Sequence, residues 1–227
     1  TFAIKELSNY LGIENINKIE GYDVSHFSGD NAVASCVVFS MQGPQKKDYR
    51  LFNIPAKLSG NDIGSLEHVI ERRIKYYINP ELKPDVILID GGKNQLNFVN
   101  NIIENSNYKD IKVISIVKGL KRVKATETII SEQGIIELDK HSKAFLILQE
   151  IRDEAHRFAI QAQRRKKRST IIKSELDNVK GIGNIFKARL LKKFKNVNNI
   201  KKASIDDLMG IDGISNKMAT LIKTEIK

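Results

Sequence analysis

Three aspartates stand where a fold usually places apolar or turn residues, and they are the first candidates for chemistry. Asp23 lies inside the strand-like run GYDVSH, Asp62 opens a helix-like run, and Asp90 closes the apolar run VILID. Asp62 alone could be a helix N-cap, and Asp90 alone could be a turn former before two glycines. Asp23 is harder to explain structurally, because a charged side chain within a core strand needs a partner, a metal ion or a solvated sheet edge.

Four histidines are present, and His156 is the candidate metal ligand or proton-transfer group. It lies in IRDEAHRFAI, at the border of an apolar helical stripe and one turn after Arg152, which is a candidate DNA contact. An ordinary packed histidine is the alternative at such a border. His26 is a rival in the same run as Asp23, but strand alternation turns it to the opposite face. The other two have the pattern of surface helix residues: His68 and His141.

The run DGGKNQL suggests a phosphate-binding turn at Lys93, although it is not a P-loop. A P-loop requires the pattern GxxxxGK[ST], whereas Lys93 is followed by Asn94 and the first glycine is missing. A nucleotide-binding α/β protein that uses the DGGK turn remains an alternative hypothesis. Lys93 begins the next predicted helix, where free backbone N–H groups and the helix dipole favour a DNA phosphate.

A near-repeat close to the C-terminus predicts a small DNA-binding domain. VKGIG at 179–183 and GIDGIS at 210–215 each separate two helix-like runs, and their central glycines stand 32 residues apart. This pattern is typical of a tandem helix-hairpin-helix domain, with Ser215 replacing the last glycine of the second hairpin. Glycines let backbone N–H groups approach phosphates closely, and basic side chains supply charge. The candidate DNA contacts here are Lys180, Gly181, Gly183, Lys187, Arg189, Gly213 and Lys217.

The charge of the chain is concentrated in the same region. Residues 1–163 carry 21 basic and 21 acidic side chains, whereas residues 164–227 carry 17 and 6, so the net charge of +11 belongs entirely to the latter. A neutral body with a basic appendage favours a polyanion held by the appendage and processed by the body. A solvated basic face that only aids solubility is the alternative.

Composition indicates an ordinary globular protein. Of 227 residues, 41% are hydrophobic and only four are proline, and no apolar run approaches the ~20 residues of a membrane span. The only cysteine, Cys36, excludes an intramolecular disulfide and a cysteine-rich zinc site, and its apolar context predicts a buried core residue. The chain opens without an initiator methionine, so we expect it to be a fragment of a longer protein.

The order of predicted elements favours an α/β fold. An opening helix precedes three strands that form an antiparallel meander, and a strand-helix-strand unit, a hairpin and a long helix follow. Such an order fits one mixed sheet flanked by helices, as in ribonuclease-H-like nucleases. The expected bounds are helix 2–11, strands 18–26, 31–41 and 46–54, helix 61–79, strands 84–90 and 112–118, hairpin 127–139 and a helix from 141. The predicted domains are 1–163 and 174–227, joined by a basic linker at 164–173.

In a ribonuclease-H-like sheet the first and fourth predicted strands lie side by side. Asp23 and Asp90 would then meet near the carboxyl edge of the sheet. Two adjacent carboxylates repel unless a cation neutralises them, and hard oxygen ligands suit Mg²⁺ or Mn²⁺. Such an ion activates water and stabilises charge on a phosphate during in-line displacement.

Several motifs together resemble one protein family. YDVSH with VASCVVF, NDIGSLEHVIERR, PDVILIDGGKNQL, IRDEAHRFAI and LDNVKGIG with GIS occur in this order. They are similar to the carboxy-terminal half of UvrC, a family of bacterial endonucleases of nucleotide excision repair. The resemblance covers essentially the whole chain. It implies a ribonuclease-H-like endonuclease domain followed by a small all-α tandem helix-hairpin-helix domain.

The resemblance also implies an activity and its residues. Asp23, Asp90 and His156 would form the catalytic set and hold Mg²⁺ or Mn²⁺, with Asp62 as an additional important acid. The reaction would be incision 5′ to a lesion in double-stranded DNA, leaving a 3′-hydroxyl and a 5′-phosphate. The expected partners are damaged DNA and, through the full-length protein, UvrB with UvrA upstream. The expected location is the bacterial cytoplasm, at the nucleoid during repair, with no membrane contact.

This chain departs from the family pattern at three places. Gly21 and Tyr22 replace the usual cysteine and phenylalanine before the first aspartate, Asn61 replaces the first of a usual pair of aspartates, and Lys180 replaces a usual proline. The last change puts the DNA geometry of the first hairpin in doubt. The family's 3′-incision domain and UvrB-binding segment are not within this stretch, so we expect it not to make both cuts. A non-catalytic DNA-binding module with structural acids is the alternative.

Overall fold

A computed structural model describes residues 2–25, 32–117, 127–177, 179 and 181–226. Contacts between residues divide the chain into two compact units, residues 1–163 and residues 164–227. His26 and Lys180 lie outside the described residues.

The first unit is built on one mixed eight-stranded sheet, which confirms the predicted fold class. Its strands are β1 (Lys18–Ser25), β2 (Val33–Ser40), β3 (Gly43–Pro44), β4 (Arg50–Asn53), β5 (Val86–Asp90), β6 (Lys112–Val117), β7 (Thr128–Ser131) and β8 (Gly134–Ile136). Their order is β3-β2-β1-β5-β6-β7-β8, and β4 also pairs with β2. The central strands β1, β5 and β6 are parallel, and the outer pairings are antiparallel. Parallel strands are covered on both faces, which explains the continuous apolar runs of β5 and β6.

Helices cover both faces of this sheet. They are α1 (Phe2–Leu11), α2 (Asp62–Ile74), α3 (Lys93–Glu104) and α4 (Lys143–Asp177), with short 3₁₀ helices at Lys46–Asp48, Ala56–Leu58 and Pro80–Leu82. α2 and α3 pack against each other, and α2 contacts β1 and β2. Side chains of α4 meet the other face of β1, where a Cβ on Gly21 would touch Ile151.

The third predicted strand, 46–54, is only partly correct. β3 pairs Phe39 with Pro44, and β4 resumes on the same strand by pairing Cys36 with Arg50. Five residues therefore stand opposite two on β2, and the surplus is taken up by the 3₁₀ turn at Lys46–Asp48. The strand proper begins only at Arg50.

One helix ends earlier than predicted, and another continues through the residues predicted to be a linker. α2 stops at Ile74 rather than near Asn79, because the next N–H groups bond three residues back, Tyr76 to Arg73 and Tyr77 to Ile74. Residues 164–173, expected to be a linker, are helical as part of α4. No glycine or proline interrupts the chain between 143 and 177, and lysine and arginine are good helix formers.

The second unit has the predicted hairpin repeat. Its helices after α4 are α5 (Asn184–Phe194), α6 (Val197–Lys202), α7 (Ile205–Met209) and α8 (Asn216–Glu225). Gly181 and Gly213 both have positive φ, 88° and 85°, which a residue with a side chain rarely adopts. The same 32-residue spacing recurs in its buried core, as pairs Val179 and Ile211, Ile182 and Ile214, and Leu190 and Ile222.

The expectation that Cys36 is a core residue is met. Cys36 is fully buried in β2. Among the described residues, every helix is too short or too polar to span a bilayer.

Candidate active site

Asp23 and Asp90 come to one edge of the sheet because β1 and β5 are parallel neighbours. Their register pairs Tyr22 with Ile89, and the next position on each strand is an aspartate. Neighbouring positions of parallel strands share a face, so the two aspartates lie on the face opposite Tyr22. Asp23 is 7% exposed and Asp90 is half-buried. The predicted juxtaposition of strands is therefore present.

His156 reaches this face from α4. Its Nδ1 lies 3.5 Å from Oδ2 of Asp23, and its side chain is 57% exposed while that of Asp23 is 9% exposed. The alternative of an ordinary packed histidine does not fit a ring that is mostly in solvent. A buried carboxylate is costly without a positive or hydrogen-bonding partner, and a histidine in either role satisfies that need.

The opposite face of β1 carries a buried acid that sequence reasoning missed. Glu20 is fully buried, and its carboxylate accepts hydrogen bonds from Tyr22 and Tyr77, both at 2.6 Å, and from Nε of Arg73 at 2.9 Å. Burial opposes the charge of Arg73, but the carboxylate outweighs it and raises the pKa of the guanidinium. The sequence does contain one sign of this buried acid. Glu20 and Asp23 are an odd number of positions apart in β1, and such residues lie on opposite faces of a strand.

The same cluster controls the neighbouring titratable groups. Burial, together with the nearby carboxylate of Glu20, raises the pKa of the hydroxyls of Tyr22 and Tyr77 and of the Cys36 thiol. These groups stay neutral at physiological pH. The cluster is therefore a structural tie between β1 and α2 rather than a source of acid or base.

The turn after Asp90 is held by its own side chains. β5 ends at Asp90, and Gly92 is the N-cap of α3, with its N–H donating to Oε1 of Gln95 at 2.8 Å. A Cβ on Gly91 would lie 1.9 Å from the same oxygen, so a larger residue there would displace the Gln95 side chain from this hydrogen bond. The hydroxyl of Ser115 on β6 donates to the carbonyls of Ile89 and Gly91. Hydrogen bonds therefore hold the backbone both before and after Asp90.

Asp62 and Lys93 line a second feature of the sheet end, a cleft of ≈ 580 Å³ between the starts of α2 and α3. The N-cap of α2 is Asn61, whose side chain accepts from the N–H of Gly64 at 2.9 Å. The alternative of Asp62 as the N-cap is therefore wrong, and Asp62 is instead an acid in the first turn. Its carboxylate is favoured by the helix dipole, and Lys93 is exposed at the start of α3.

Arg152 is engaged with carboxylates. It forms ion pairs with Glu127 and with Asp153, and its side chain is only 13% exposed. Gln149 donates to the other oxygen of Glu127 at 2.7 Å. Arg152 therefore ties α4 to the residue that precedes β7, and its expected contact with DNA stays a prediction.

The second unit presents its candidate DNA contacts around the two hairpins. Gly181, Gly183, Gly213 and Lys217 are exposed. Gly183 is the N-cap of α5 and has no side chain to cap it, whereas the hydroxyl of Ser215 caps α8 by accepting from the N–H of Met218 at 3.3 Å. The side chain of Lys187 is half-buried. Arg189 donates a hydrogen bond to the carbonyl of Asp212 at 2.6 Å.

The donor set at the sheet edge fits a hard divalent cation. Mg²⁺ is commonly held by one or two carboxylates, with water and substrate phosphates at the remaining positions. Asp23 and Asp90 supply two such carboxylates on one face. Within the described ranges there is no group of three or more histidine, cysteine, aspartate or glutamate side chains gathered as a metal site.

Comparison with protein families matches both units. The model of the UvrC RNAse H endonuclease domain matches residues 8–160, and that of the SAM-like helix-hairpin-helix tandem matches residues 173–227. The first of these alone covers more than half of the chain.

Curated relatives agree with this match. The UvrABC system protein C of Legionella pneumophila strain Lens is 39% identical over 211 residues, which are 92% of this chain and 34% of that protein. The UvrABC system protein C of Haemophilus influenzae strain Rd is 37% identical over 227 residues, which cover 97% of this chain and 37% of that protein. The chain spans about a third of the length of the curated relatives it matches.

Solved structures are similar at a lower level. The catalytic domain of human Endonuclease V is 13% identical, with a TM-score of 0.43 and coverage of 73% of this chain and 96% of that one. Endonuclease V of Ciona intestinalis, in complex with DNA containing an inosine, is 10% identical, with a TM-score of 0.45 and coverage of 71% and 95%.

Proposed function

The chain belongs to the UvrC family, and we propose that it is the part of such a protein that cuts DNA during nucleotide excision repair. The proposed reaction is metal-dependent hydrolysis of one phosphodiester on the 5′ side of a lesion. Two observations support the proposal: the register of β1 and β5 brings Asp23 and Asp90 to neighbouring positions on one face, and Nδ1 of His156 lies 3.5 Å from Oδ2 of Asp23.

The residues would divide the work as follows. Asp23 and Asp90 would hold Mg²⁺ or Mn²⁺, which supplies an activated water and stabilises charge on the phosphate. The Nδ1 of His156 faces Asp23, so a proton held on Nδ1 leaves Nε2 free to accept one. Because the ring is 57% exposed, Nε2 can take up a proton from solvent and donate it to the leaving oxygen of the cut DNA strand. We assign His156 to proton transfer or ligation and Asp62 to a supporting role at the neighbouring cleft.

Lys93 and the two hairpins are proposed to hold the DNA backbone. Hairpin N–H groups and basic side chains contact phosphates rather than base edges, so binding would be independent of sequence. The partners proposed for the whole protein are damaged double-stranded DNA and UvrB, with UvrA acting earlier. The proposed location is the bacterial cytoplasm.

A nicking assay tests the proposed reaction. A duplex with one bulky lesion, labelled at either end, is incubated with the chain and Mn²⁺ or Mg²⁺, and we expect one cut on the 5′ side of the lesion. The products should carry a 3′-hydroxyl, which a polymerase extends, and a 5′-phosphate, which a ligase accepts. EDTA should stop the cutting. DNA binding without any cut under these conditions would instead support the non-catalytic module.

The role of the second unit is tested through salt dependence. Lys187→Gln and Lys217→Gln should each weaken binding to duplex DNA equally across sequences. Each lost phosphate contact should reduce the slope of log K against log salt by about 0.9. Fluorescence anisotropy at several salt concentrations measures both quantities.

The matched control is Lys109→Gln, since Lys109 is exposed in the first unit just before β6, at the edge away from Asp90. It should leave both affinity and slope unchanged. An equal loss in all three variants would mean that net charge, and not the hairpins, governs binding.

A further inference from the structure

The distance between His156 and Asp23 depends on how helix α4 is seated on the sheet. His156 is 57% exposed, so contacts of its own ring contribute little to fixing it. Asp23 is held in β1 between two paired strands. The contacts that fix the position of α4 over β1 therefore also fix the distance between His156 and Asp23.

Gly21 brings α4 unusually close to β1. It lies two residues before Asp23, on the same face. A Cβ at this position would lie 2.3 Å from Cγ2 of Ile151 and 3.1 Å from Cγ2 of Val37. Ile151 is fully buried and precedes His156 by five residues on α4. The helix can approach to this distance only because position 21 has no side chain.

Ser35 fixes the same part of α4 by a hydrogen bond. It is the cross-strand partner of Asp23 on β2 and is fully buried. Its hydroxyl donates to the carbonyl of Ala155 at 2.8 Å. Ala155 immediately precedes His156, and its carbonyl has a second lone pair to offer besides the one used within the helix.

The two contacts lie one helical turn apart on α4; one is made to β1, two residues before Asp23, and the other to β2, at the cross-strand partner of Asp23. Neither Gly21 nor Ser35 brings acid, base or ligand chemistry to the site. We propose that Gly21 and Ser35 are positioning residues, which hold α4 so that His156 stays within reach of Asp23. The inference deepens the proposed nuclease function and rests on it for its kinetic consequence, but not for its structural one.

The first test adds a methyl group and then removes the group it meets. Gly21→Ala should displace Ile151 and lower the rate constant for nicking by about 10²-fold, the size expected for a misplacement near 1 Å. The Kd for DNA and its salt slope should not change. Adding Ile151→Ala to Gly21→Ala should restore the rate to within about fivefold of wild type, because it removes the colliding Cγ2.

The second test removes the hydroxyl of Ser35. Ser35→Ala should lower the nicking rate about fivefold, a factor that corresponds to the net free energy of one hydrogen bond. Ser35→Thr keeps a hydroxyl and should retain most of the wild-type nicking rate. The matched control is Ser131→Ala, since Ser131 is also a buried strand serine, with a hydroxyl donating to the carbonyl of Gly134 at 3.3 Å. That control should leave the rate unchanged.

A readout without catalysis separates failure of this inference from failure of the proposed function. The chain has four histidines, so the ring C–H signal of His156 in an NMR spectrum of the metal-free protein can be assigned by His156→Gln. It should shift in Gly21→Ala and Ser35→Ala, return in the Gly21→Ala, Ile151→Ala double variant, and stay in place in Ser131→Ala. These shifts are expected even if wild type cuts no DNA.

Three results would overturn the inference. They are an unmoved His156 signal in both variants, a Gly21→Ala defect that Ile151→Ala does not relieve, and a rate loss in Ser131→Ala equal to that in Ser35→Ala. If Gly21→Ala does not fold, the comparison of Ser35→Ala with Ser131→Ala decides the matter by itself.

Discussion

Asp23→Asn and Asp90→Asn should each lower metal-dependent nicking by about 10³-fold or more. Each change keeps the size of the side chain but removes one negative charge from the proposed cation site. A metal ion contributes several kcal/mol to stabilising a phosphoryl transition state, and each 1.36 kcal/mol is a tenfold change in rate. The rate of nicking at saturating DNA, measured against Mn²⁺ concentration, tests this directly.

DNA affinity should be retained in both variants, because the proposed grip lies in the hairpins and Lys93. The matched control is Asp110→Asn, an aspartate 66% exposed that pairs with Lys83 just before β6. It should nick at the wild-type rate. Full activity in Asp23→Asn or Asp90→Asn would remove these residues from the proposed catalytic set.

Arg73→Met should destabilise the first unit by about 3–5 kcal/mol, the usual cost of removing one partner from a buried ion pair. The side chains of Arg73 and Glu20 are 2% and 0% exposed. Without the guanidinium, the carboxylate must stay buried with only the hydroxyls of Tyr22 and Tyr77, or take up a proton. Urea unfolding followed by circular dichroism measures the change, and a lower midpoint with an unchanged slope indicates a pure stability effect.

Two comparisons make this prediction specific. Arg72→Met is the matched control, because Arg72 is exposed on the same helix, where its guanidinium lies over the ring of Phe52, 5.6 Å from the centroid. We expect it to cost about 1 kcal/mol or less. The double variant Glu20→Met, Arg73→Met should be more stable than Arg73→Met alone, since no uncompensated charge remains. An Arg73→Met protein as stable as Arg72→Met would mean that Glu20 is satisfied without its ion pair.

The outline of the fold followed from local patterns. Continuous apolar runs such as VILID and KVISIV indicated covered parallel strands, and their order indicated a mixed sheet. Where the pattern was less regular, prediction was less accurate. The pattern of residues 46–54 predicts one strand, but pairing with β2 leaves room for only two residues between Pro44 and Arg50, so the surplus forms a 3₁₀ turn. The sequence of either segment alone does not show that five residues of one will lie opposite two residues of the other.

The candidate site was predictable in part. Asp23 and Asp90 were identifiable because a carboxylate in or at the end of a core strand is unusual, and strand alternation excluded His26 from the face of Asp23. His156 needed the family resemblance, since a histidine at the border of a helical stripe is usually only packed. Arg152 was expected at DNA, and its pairing with Glu127 became visible only when β7 and α4 were placed side by side.

By itself, the sequence determined the family, the order of strands and helices, and the two hairpins. These depend on local patterns along the chain, such as the turns with positive-φ glycines at 181 and 213 and the buried residues that recur at the same spacing around each turn. The tertiary structure alone decided that Glu20 meets Arg73, 53 residues away, and that Ser35 meets Ala155, 120 residues away. It also decided that Gly21 admits Ile151. These contacts require the distances between distant segments to be set to within about a few tenths of an ångström, which packing does and residue spacing does not encode.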